Sequence, residues 1–266
     1  MRSQDYFDTH PVFTFDEYRS ARGRDSTSLS TVKNLLAGHV AAGRVARVRQ
    51  GLYATVPRGV DAAQFEPDPF LLASHATNGA IVCGHAALQF FGKAYSVWSR
   101  FHFFVPQPRR PFSYRGAGFV PILAPPSLRT DAGRAEGVLQ TAHAGGMVRV
   151  TSLERTLADV LHAPDRAGGW EESWRSLEQV EYYDTGAVER HVRELGSALT
   201  AARVGYFLEA HADALMLQPT SLDGIRHMAP RQARYLDASH QQGHLDRRWN
   251  LIVPTWLADR SWQEVS

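Results

Sequence analysis

The stretch from Thr14 to Val56 places the strongest constraint on the fold, because signals for two helices and a hairpin follow one another within it. Thr14 and Glu17 have the spacing of a capping box, in which each side chain satisfies a backbone N–H at the start of a helix. The first helix is predicted to run to about Arg22 and to end at Gly23, since glycine readily adopts the conformation that ends helices.

A second helix is predicted from about Ser28 to Ala42. At about 100° per residue its apolar side chains form one stripe, and the opposite face carries small hydroxyls, an amide and an ammonium group. Such a face can approach the major groove of DNA and offer donors and acceptors to base edges. His39 lies in the apolar stripe and is interpreted as a packed core histidine. The candidate DNA-binding residues of this segment are Thr27, Ser28, Ser30, Thr31, Lys33 and Asn34.

Two short β-prone runs on either side of Gln50-Gly51 predict a hairpin. Alternation along the first run puts Arg47 and Arg49 on one face and the apolar side chains between them on the other. The apolar face would pack on the helices and the cationic face would meet phosphates. The candidate DNA-binding residues here are Arg44, Arg47, Arg49 and Gln50.

The charge of this region supports the same interpretation. Residues 18–60 contain eight Lys or Arg and a single acid, Asp25, whereas the whole chain of 266 residues has a net charge of only +2. A basic block on a nearly neutral protein is typical of polyanion binding, although an arginine-rich solvated surface would look the same. Helix, turn, helix and basic hairpin together predict a winged helix-turn-helix DNA-binding domain over residues 1–62.

Residues 63–266 are predicted to form a larger mixed domain, so that the fold class is α+β. We expect an α+β part over about 63–150, a helical part over about 151–214 and a tail over 215–266. Thr151 and Glu154 suggest a second capping box. In the helix that follows, Arg155 and Asp159 are spaced for an ion pair, for which a structural role is favoured over a catalytic one.

Few residues indicate chemistry. His240 and His244 lie four apart with Asp246 nearby, but Gly243 interrupts the segment and no third ligand is defined, so we expect no metal site. His75 and His85 have no evident partner. No phosphate-binding glycine loop, dinucleotide fingerprint or nucleophile elbow is present, and we therefore expect no cofactor and no enzymatic activity.

Two further surfaces leave alternatives open. Residues 107–115 mix arginines with aromatic side chains, which fits either an exposed hairpin turn or an auxiliary nucleic-acid patch. Residues 170–195 are acidic on balance, which fits either a solvated helical surface or a docking face for a basic protein. The candidate partner-binding residues of that face are Glu171, Glu172 and Glu178.

The composition limits where such a protein would act. Its single cysteine, Cys83, cannot form an internal disulfide or a cysteine-rich zinc site. No run of roughly 18 apolar residues is present, and the first residues lack the apolar stretch of a secretory signal. We expect a cytoplasmic protein with no membrane partner.

Considered together, the chain resembles the AbiEi family of bacterial antitoxins, and the order and spacing of several stretches carry the resemblance. They are Thr31-Val-Lys-Asn-Leu-Leu-Ala-Gly-His39 followed by Gly43-Arg-Val-Ala-Arg-Val-Arg-Gln-Gly-Leu-Tyr53, Pro69-Phe-Leu-Leu-Ala-Ser74 with His85-Ala-Ala-Leu-Gln-Phe-Phe-Gly92, and Val150-Thr-Ser-Leu-Glu-Arg-Thr-Leu-Ala-Asp159 with Gly205-Tyr-Phe-Leu-Glu209 and Arg248-Trp-Asn-Leu251.

This resemblance implies a protein with two activities. The winged helix would bind inverted repeats in the promoter of its own operon and repress it, with the second predicted helix facing bases and the hairpin arginines facing phosphates. The C-terminal domain would counteract a toxin encoded beside it, typically a nucleotidyltransferase-like protein. The alternatives are a ligand-responsive transcriptional regulator without a toxin partner and, less favoured, a DNA-directed nuclease, which would need carboxylates clustered around a metal.

Overall fold

The computed structural model describes residues 3–23, 28–126, 129, 136–218, 220–237 and 243–259. Its contacts divide the chain into two compact units. The first comprises Met1–Val82, Trp98–Leu123 and Leu139–Val150, and the second comprises Cys83–Val97, Ala124–Val138 and Thr151–Ser266. The division differs from the expected boundary after residue 62, because the N-terminal elements share a unit with a sheet formed farther along the chain.

The N-terminal part of the first unit is a small three-stranded sheet with three helices. The strand order is β1-β3-β2, and both pairings are antiparallel. The elements are α1 (Ser3–Phe7), β1 (Val12–Thr14), α2 (Phe15–Ala21), α3 (Leu29–Ala41), β2 (Val45–Arg49) and β3 (Leu52–Thr55).

Local sequence explains where these elements begin and turn. The capping box at α2 is present, with the Thr14 N–H donating to Glu17 Oε2 at 2.6 Å and the Glu17 N–H donating to Thr14 Oγ1 at 3.2 Å. The Ser28 hydroxyl caps α3 by accepting from the Thr31 N–H at 3.2 Å. Gly51 turns the β2–β3 hairpin with φ 82°, a region that favours glycine. The predicted helices and hairpin are therefore confirmed within one residue at the ends that the structure describes.

The core of this part is mostly aromatic. Tyr6, Phe7, Phe13 and Tyr18 are buried and pack ring against ring, with centroids 5.2–5.8 Å apart for most pairs. Three of these rings come from α1 and β1, two elements that the sequence pattern did not predict. Because they cover the inner face of α3, the outer face of that helix is left for solvent.

The first unit also contains a six-stranded mixed sheet. Two terminal strand residues, Val138 and Thr151, are assigned to the second unit. The strand order of this sheet is β6-β7-β5-β4-β9-β8, with β5 and β7 parallel and β4 and β5 antiparallel. Helix α4 packs on its central strands. The elements are α4 (Pro69–Ser74), β4 (Ile81–Val82), β5 (Arg100–Val105), β6 (Phe112–Tyr114), β7 (Ala117–Leu123), β8 (Val138–His143) and β9 (Gly146–Thr151).

The second unit is mainly helical and carries a short three-stranded sheet of order β10-β12-β11. Its elements are α5 (His85–Phe90), α6 (Leu153–His162), α7 (Gly169–Leu177), α8 (Thr185–Leu195), α9 (Ala198–Ala210), α10 (Asp223–Met228), β10 (Arg234–Tyr235), β11 (Gly243–Asp246), β12 (Leu251–Pro254) and α11 (Thr255–Ala258). With eleven α-helices and three sheets in the described residues, the α+β class is confirmed. No helix in those residues has both the length and the apolar character needed to cross a membrane.

The start of α6 corrects one expectation. Ser152, not Thr151, is the N-cap, and its hydroxyl accepts from the Arg155 N–H. Thr151 remains in β9, where its hydroxyl lies 2.7 Å from the hydroxyl of Thr156. The observed N-cap lies one residue after the predicted one, because strand β9 continues up to Thr151.

A buried ionic network holds α6 against α8. Arg155 is 1% exposed, and its Nε lies 3.4 Å from Asp159 Oδ2. The other oxygen of Asp159 lies 3.2 Å from Nε2 of the buried His191. Arg155 also donates to the backbone carbonyl of Glu136 at 2.7 Å. A buried charge is tolerated when it is paired and hydrogen-bonded, and the expected ion pair between Arg155 and Asp159 is present.

Two motifs distant in sequence meet in one contact in the second unit. Trp249 is fully buried, and its indole N–H donates to Glu209 Oε2 at 2.8 Å. Its ring lies directly on Gly205 of α9, so that a Cβ added there would overlap the ring. A glycine is required at this position because the ring occupies the space of a side chain.

We predict that Gly205→Ala lowers the free energy of unfolding by about 1–3 kcal/mol, because the new methyl group overpacks the core against Trp249. Urea unfolding followed by tryptophan fluorescence measures the effect. Gly38→Ala is the matched control, since Gly38 also lies in a helix but has open space around its Cα. That change should raise stability by roughly 1 kcal/mol. An unchanged urea midpoint for Gly205→Ala would contradict the packing argument.

Candidate nucleic-acid interface

The outer face of α3 is exposed as the sequence pattern predicted. Ser30, Thr31, Lys33 and Asn34 are exposed, whereas Val32, Leu36 and His39 are buried. Farther along the same face the exposed residues are small, namely Ala37, Gly38 and Ala41. This face therefore combines polar groups near its start with room for close approach along its length.

The hydroxyl groups at the start of α3 already have local contacts. Besides capping the helix, the Ser28 hydroxyl lies 3.0 Å from the Ser30 hydroxyl and 2.8 Å from the Thr31 hydroxyl. Lys33 and Asn34 lie beyond this cluster on the exposed face. Thr27 lies outside the described residues.

The hairpin departs from the expected alternation of Arg47 and Arg49. Arg47 pairs with Tyr53 and Arg49 pairs with Leu52, so the register shifts between them by a β-bulge. A bulge adds one residue to one strand and changes the direction of the side chains that follow. Arg47 is exposed and Arg49 is partly buried. The prediction that both arginines share one exposed face is therefore wrong.

Arg49 instead joins the hairpin to the six-stranded sheet within the first unit. Its guanidinium carbon lies 4.4 Å from the centroid of the Phe112 ring in β6, and an Nη atom donates to the carbonyl of Ala76. Burial, together with the nearby charge of Arg109, holds the pKa of Arg49 below its usual range. We interpret Arg49 as a structural residue, since a guanidinium on an aromatic face with a carbonyl acceptor is already stabilised in place.

A groove lies between α3 and the hairpin, with a volume of about 630 Å³. Lys33 from the helix and Arg47 from the hairpin both line it. Asp16, Gln50 and Tyr53 also line the groove and can form hydrogen bonds through their side chains. Its apolar lining residues include Phe15, Leu36 and Val40. The two predicted cations therefore converge on one concave surface, with Arg44 exposed at the start of the hairpin.

His39 supports this surface from below. It is buried, and its ring meets the edge of Phe7 at a centroid distance of 4.8 Å. Burial lowers its pKa, and the charges of Arg44 and Arg22 lower it further, which favours the neutral ring. The interpretation of His39 as a core histidine is confirmed.

The three predicted partner-binding acids differ in exposure, and each has a contact within the second unit. Glu171 is exposed and pairs with Arg175 at 3.1 Å. Glu178 lies 2.9 Å from His211 and is partly buried. The side chain of Glu172 is only 12% exposed, and its contacts are internal to the second unit.

Glu172 holds a loop and a helix of the second unit together. Its carboxylate accepts from the Ser96 N–H at 3.1 Å and from the Ser96 hydroxyl at 2.8 Å, and it lies 2.9 Å from His85 Nε2. Burial raises the pKa of Glu172, but the hydrogen bonds from Ser96 and His85 outweigh it and bring the pKa below its ordinary value. Its proposed docking role is therefore corrected to a structural one. His85 also acquires a partner that its sequence neighbours could not reveal.

The other histidines considered in the sequence are His75, His240 and His244. His75 Nδ1 lies 3.0 Å from the carbonyl of Leu71, and His244 is exposed on β11. His240 lies outside the described residues. In the part of the chain that the structure describes, no three His, Cys, Asp or Glu side chains are grouped so that they could hold a metal ion.

We predict different consequences for the two hairpin arginines. Arg49→Ala removes a stacked, hydrogen-bonded guanidinium and should lower the free energy of unfolding by about 1–3 kcal/mol. Arg47→Ala, its matched control on the same strand, should change stability by no more than about 0.5 kcal/mol because the side chain is exposed. Chemical denaturation of both variants measures the difference. Equal stabilities would rule out the structural role of Arg49.

Comparison with known proteins shows a similarity of fold only. No protein-family model matches the chain, and no curated protein matches it. Among solved structures the fold is similar to that of the RV2827C protein from Mycobacterium tuberculosis, with a TM-score of 0.56 and 16% sequence identity. The match covers 91% of this chain and 85% of that chain. The likeness therefore spans both units of the chain and supports the mixed architecture described above.

Proposed function

We propose that this protein binds double-stranded DNA through a winged helix-turn-helix formed by α2, α3 and the β2–β3 hairpin. The observation that carries the proposal is the convergence of Lys33 and Arg47 on the groove between α3 and the hairpin. In this arrangement α3 enters the major groove and the hairpin contacts the phosphate backbone. Asp16 also lines the groove, so the cations must outweigh one acid there.

The exposed face of α3 suits close approach to DNA. Ser30 and Asn34 would meet base edges, and Lys33 would meet a phosphate. The alanines and glycine farther along leave no long side chain to hold the helix away from the groove. Since α3 has a single Lys or Arg, much of the affinity would come from Arg44 and Arg47, and from two copies bound to inverted repeats.

The distribution of charge between the units supports the same assignment. By sequence the first unit contains fourteen Lys or Arg and eight Asp or Glu, whereas the second contains fifteen and nineteen. A polyanion is therefore attracted to the first unit and repelled by the second. This separation of charge supports the proposal that DNA binds to the unit that contains α3 and the hairpin.

We further propose that the protein is an autorepressor and antitoxin of the AbiEi type, which counteracts a nucleotidyltransferase-like toxin. Support comes from the ordered motifs of the sequence, two of which pack together through Gly205, Glu209 and Trp249. The net negative charge of the second unit suits a basic protein partner. The nuclease alternative is disfavoured, because both oxygens of Asp159 already face Arg155 and His191.

The DNA-binding proposal is tested by the salt dependence of affinity for a duplex from the promoter of its own gene. Lys33→Ala and Arg47→Ala should each weaken binding and reduce the slope of log K against log salt by about 0.9, the value for one lost phosphate contact. Fluorescence anisotropy measures both quantities. Arg231→Ala, an exposed arginine of the second unit, is the control and should leave the slope unchanged. Unchanged slopes for both test variants would exclude this surface as the contact.

The antitoxin proposal is tested by co-expression with the adjacent gene. If that gene arrests growth, wild-type protein should restore it. The full-length Lys33→Ala/Arg47→Ala variant should restore growth as well, because neutralisation is assigned to the second unit. Growth curves after separate induction of the two proteins measure the outcome. A harmless neighbour, or a toxic one that is never neutralised, would leave only a DNA-binding regulator.

A further inference from the structure

A second cluster of arginines lies in the turn between β5 and β6, residues 106–111, which we call the basic turn. Its sequence is Pro-Gln-Pro-Arg-Arg-Pro, and both Arg109 and Arg110 are exposed. Each of its three prolines has a fixed φ, so the turn loses little conformational freedom when it binds a ligand. The arginines are thus presented on a stiff support.

The basic turn is adjacent to the hairpin within the first unit. It leads directly into Phe112, whose ring contacts the guanidinium of Arg49 at 4.4 Å. Arg49 is two residues from Arg47, and the charge of Arg109 is close enough to Arg49 to lower its pKa. Arg49 and Arg109, which are sixty positions apart in sequence, therefore lie near each other within the first unit.

The charge of this region is one-sided. The segment Trp98–Leu123 contains four arginines and no Asp or Glu. One of them, Arg115, is used structurally, since it donates to the carbonyls of Ala62 and Ala63. For Arg109 and Arg110, by contrast, the described residues provide neither an ion pair nor a side-chain hydrogen bond. Several like charges placed together without a counter-charge are unfavourable until an anion neutralises them.

We propose that Arg109 and Arg110 form a second phosphate-contacting site that continues the DNA-binding surface of the hairpin onto the six-stranded sheet. The inference rests on the proposed DNA binding and extends it to a longer stretch of duplex. The basic turn contacts the sugar-phosphate backbone beside the hairpin, and it carries no base specificity, because guanidinium groups on a short turn reach phosphates before base edges. The stacked Arg49 sets the distance between the two contact points.

The test is the salt dependence of binding to a promoter duplex by the Arg109→Ala/Arg110→Ala variant. Losing two phosphate contacts should reduce the slope by about 1.8 and weaken affinity on the order of tenfold near 0.15 M salt. The loss should be similar for promoter and scrambled duplexes. Arg109→Lys/Arg110→Lys keeps both charges and should retain most of the slope. Arg231→Ala/Arg234→Ala removes two exposed arginines of the second unit and should leave it unchanged.

Duplex length provides a second readout. The duplex is shortened step by step from the end that lies beside the hairpin. The slope of log K against log salt should then fall for wild-type protein until it equals that of the Arg109→Ala/Arg110→Ala variant. A different result is that Arg47→Ala lowers this slope while Arg109→Ala/Arg110→Ala leaves it at the wild-type value. That result would exclude the second site and leave the DNA-binding proposal standing. If wild type binds no duplex at all, both proposals fail.

Discussion

The stacking of Arg49 on Phe112 is the interaction on which the candidate interface depends. A half-buried guanidinium is costly unless its charge is compensated, and here the aromatic face and the carbonyl of Ala76 compensate it. Because these partners belong to the six-stranded sheet and its neighbouring turn, the hairpin is held against the sheet. The basic turn is thereby placed near Arg49, and the proposed second phosphate contact depends on this placement.

In the second unit, buried ionic groups join helices beside a large apolar core. The Asp159 carboxylate lies between Arg155 and His191, and the Glu172 carboxylate accepts hydrogen bonds from Ser96 and contacts His85. Glu172 and Glu178, whose charge suggested an interaction surface, thus have partners within the unit. A protein partner attracted by the acidic charge of this unit would meet side chains such as Glu171, which remains exposed beside Arg175.

The sequence predicted those features that depend on residues close together along the chain. The capping box of Thr14 and Glu17, the apolar stripe of α3 and the turn at Gly51 follow from local geometry. The alternation of Arg47 and Arg49 failed because a bulge is a property of two paired strands, and the pattern of one strand does not reveal it. Glu172 was misread for a related reason, since its partner Ser96 lies 76 residues away.

The sequence by itself determined helices α2 and α3, the hairpin, the α+β class and the concentration of arginine before residue 60. Caps, periodicity and turn residues act over a few positions, and their effects can therefore be read without a partner. Only the tertiary structure decided which arginines are exposed, that the basic turn adjoins the hairpin, and that the sheet belongs with the N-terminal elements. These depend on strand pairing and packing between distant segments, whose energies arise only when the chain has folded.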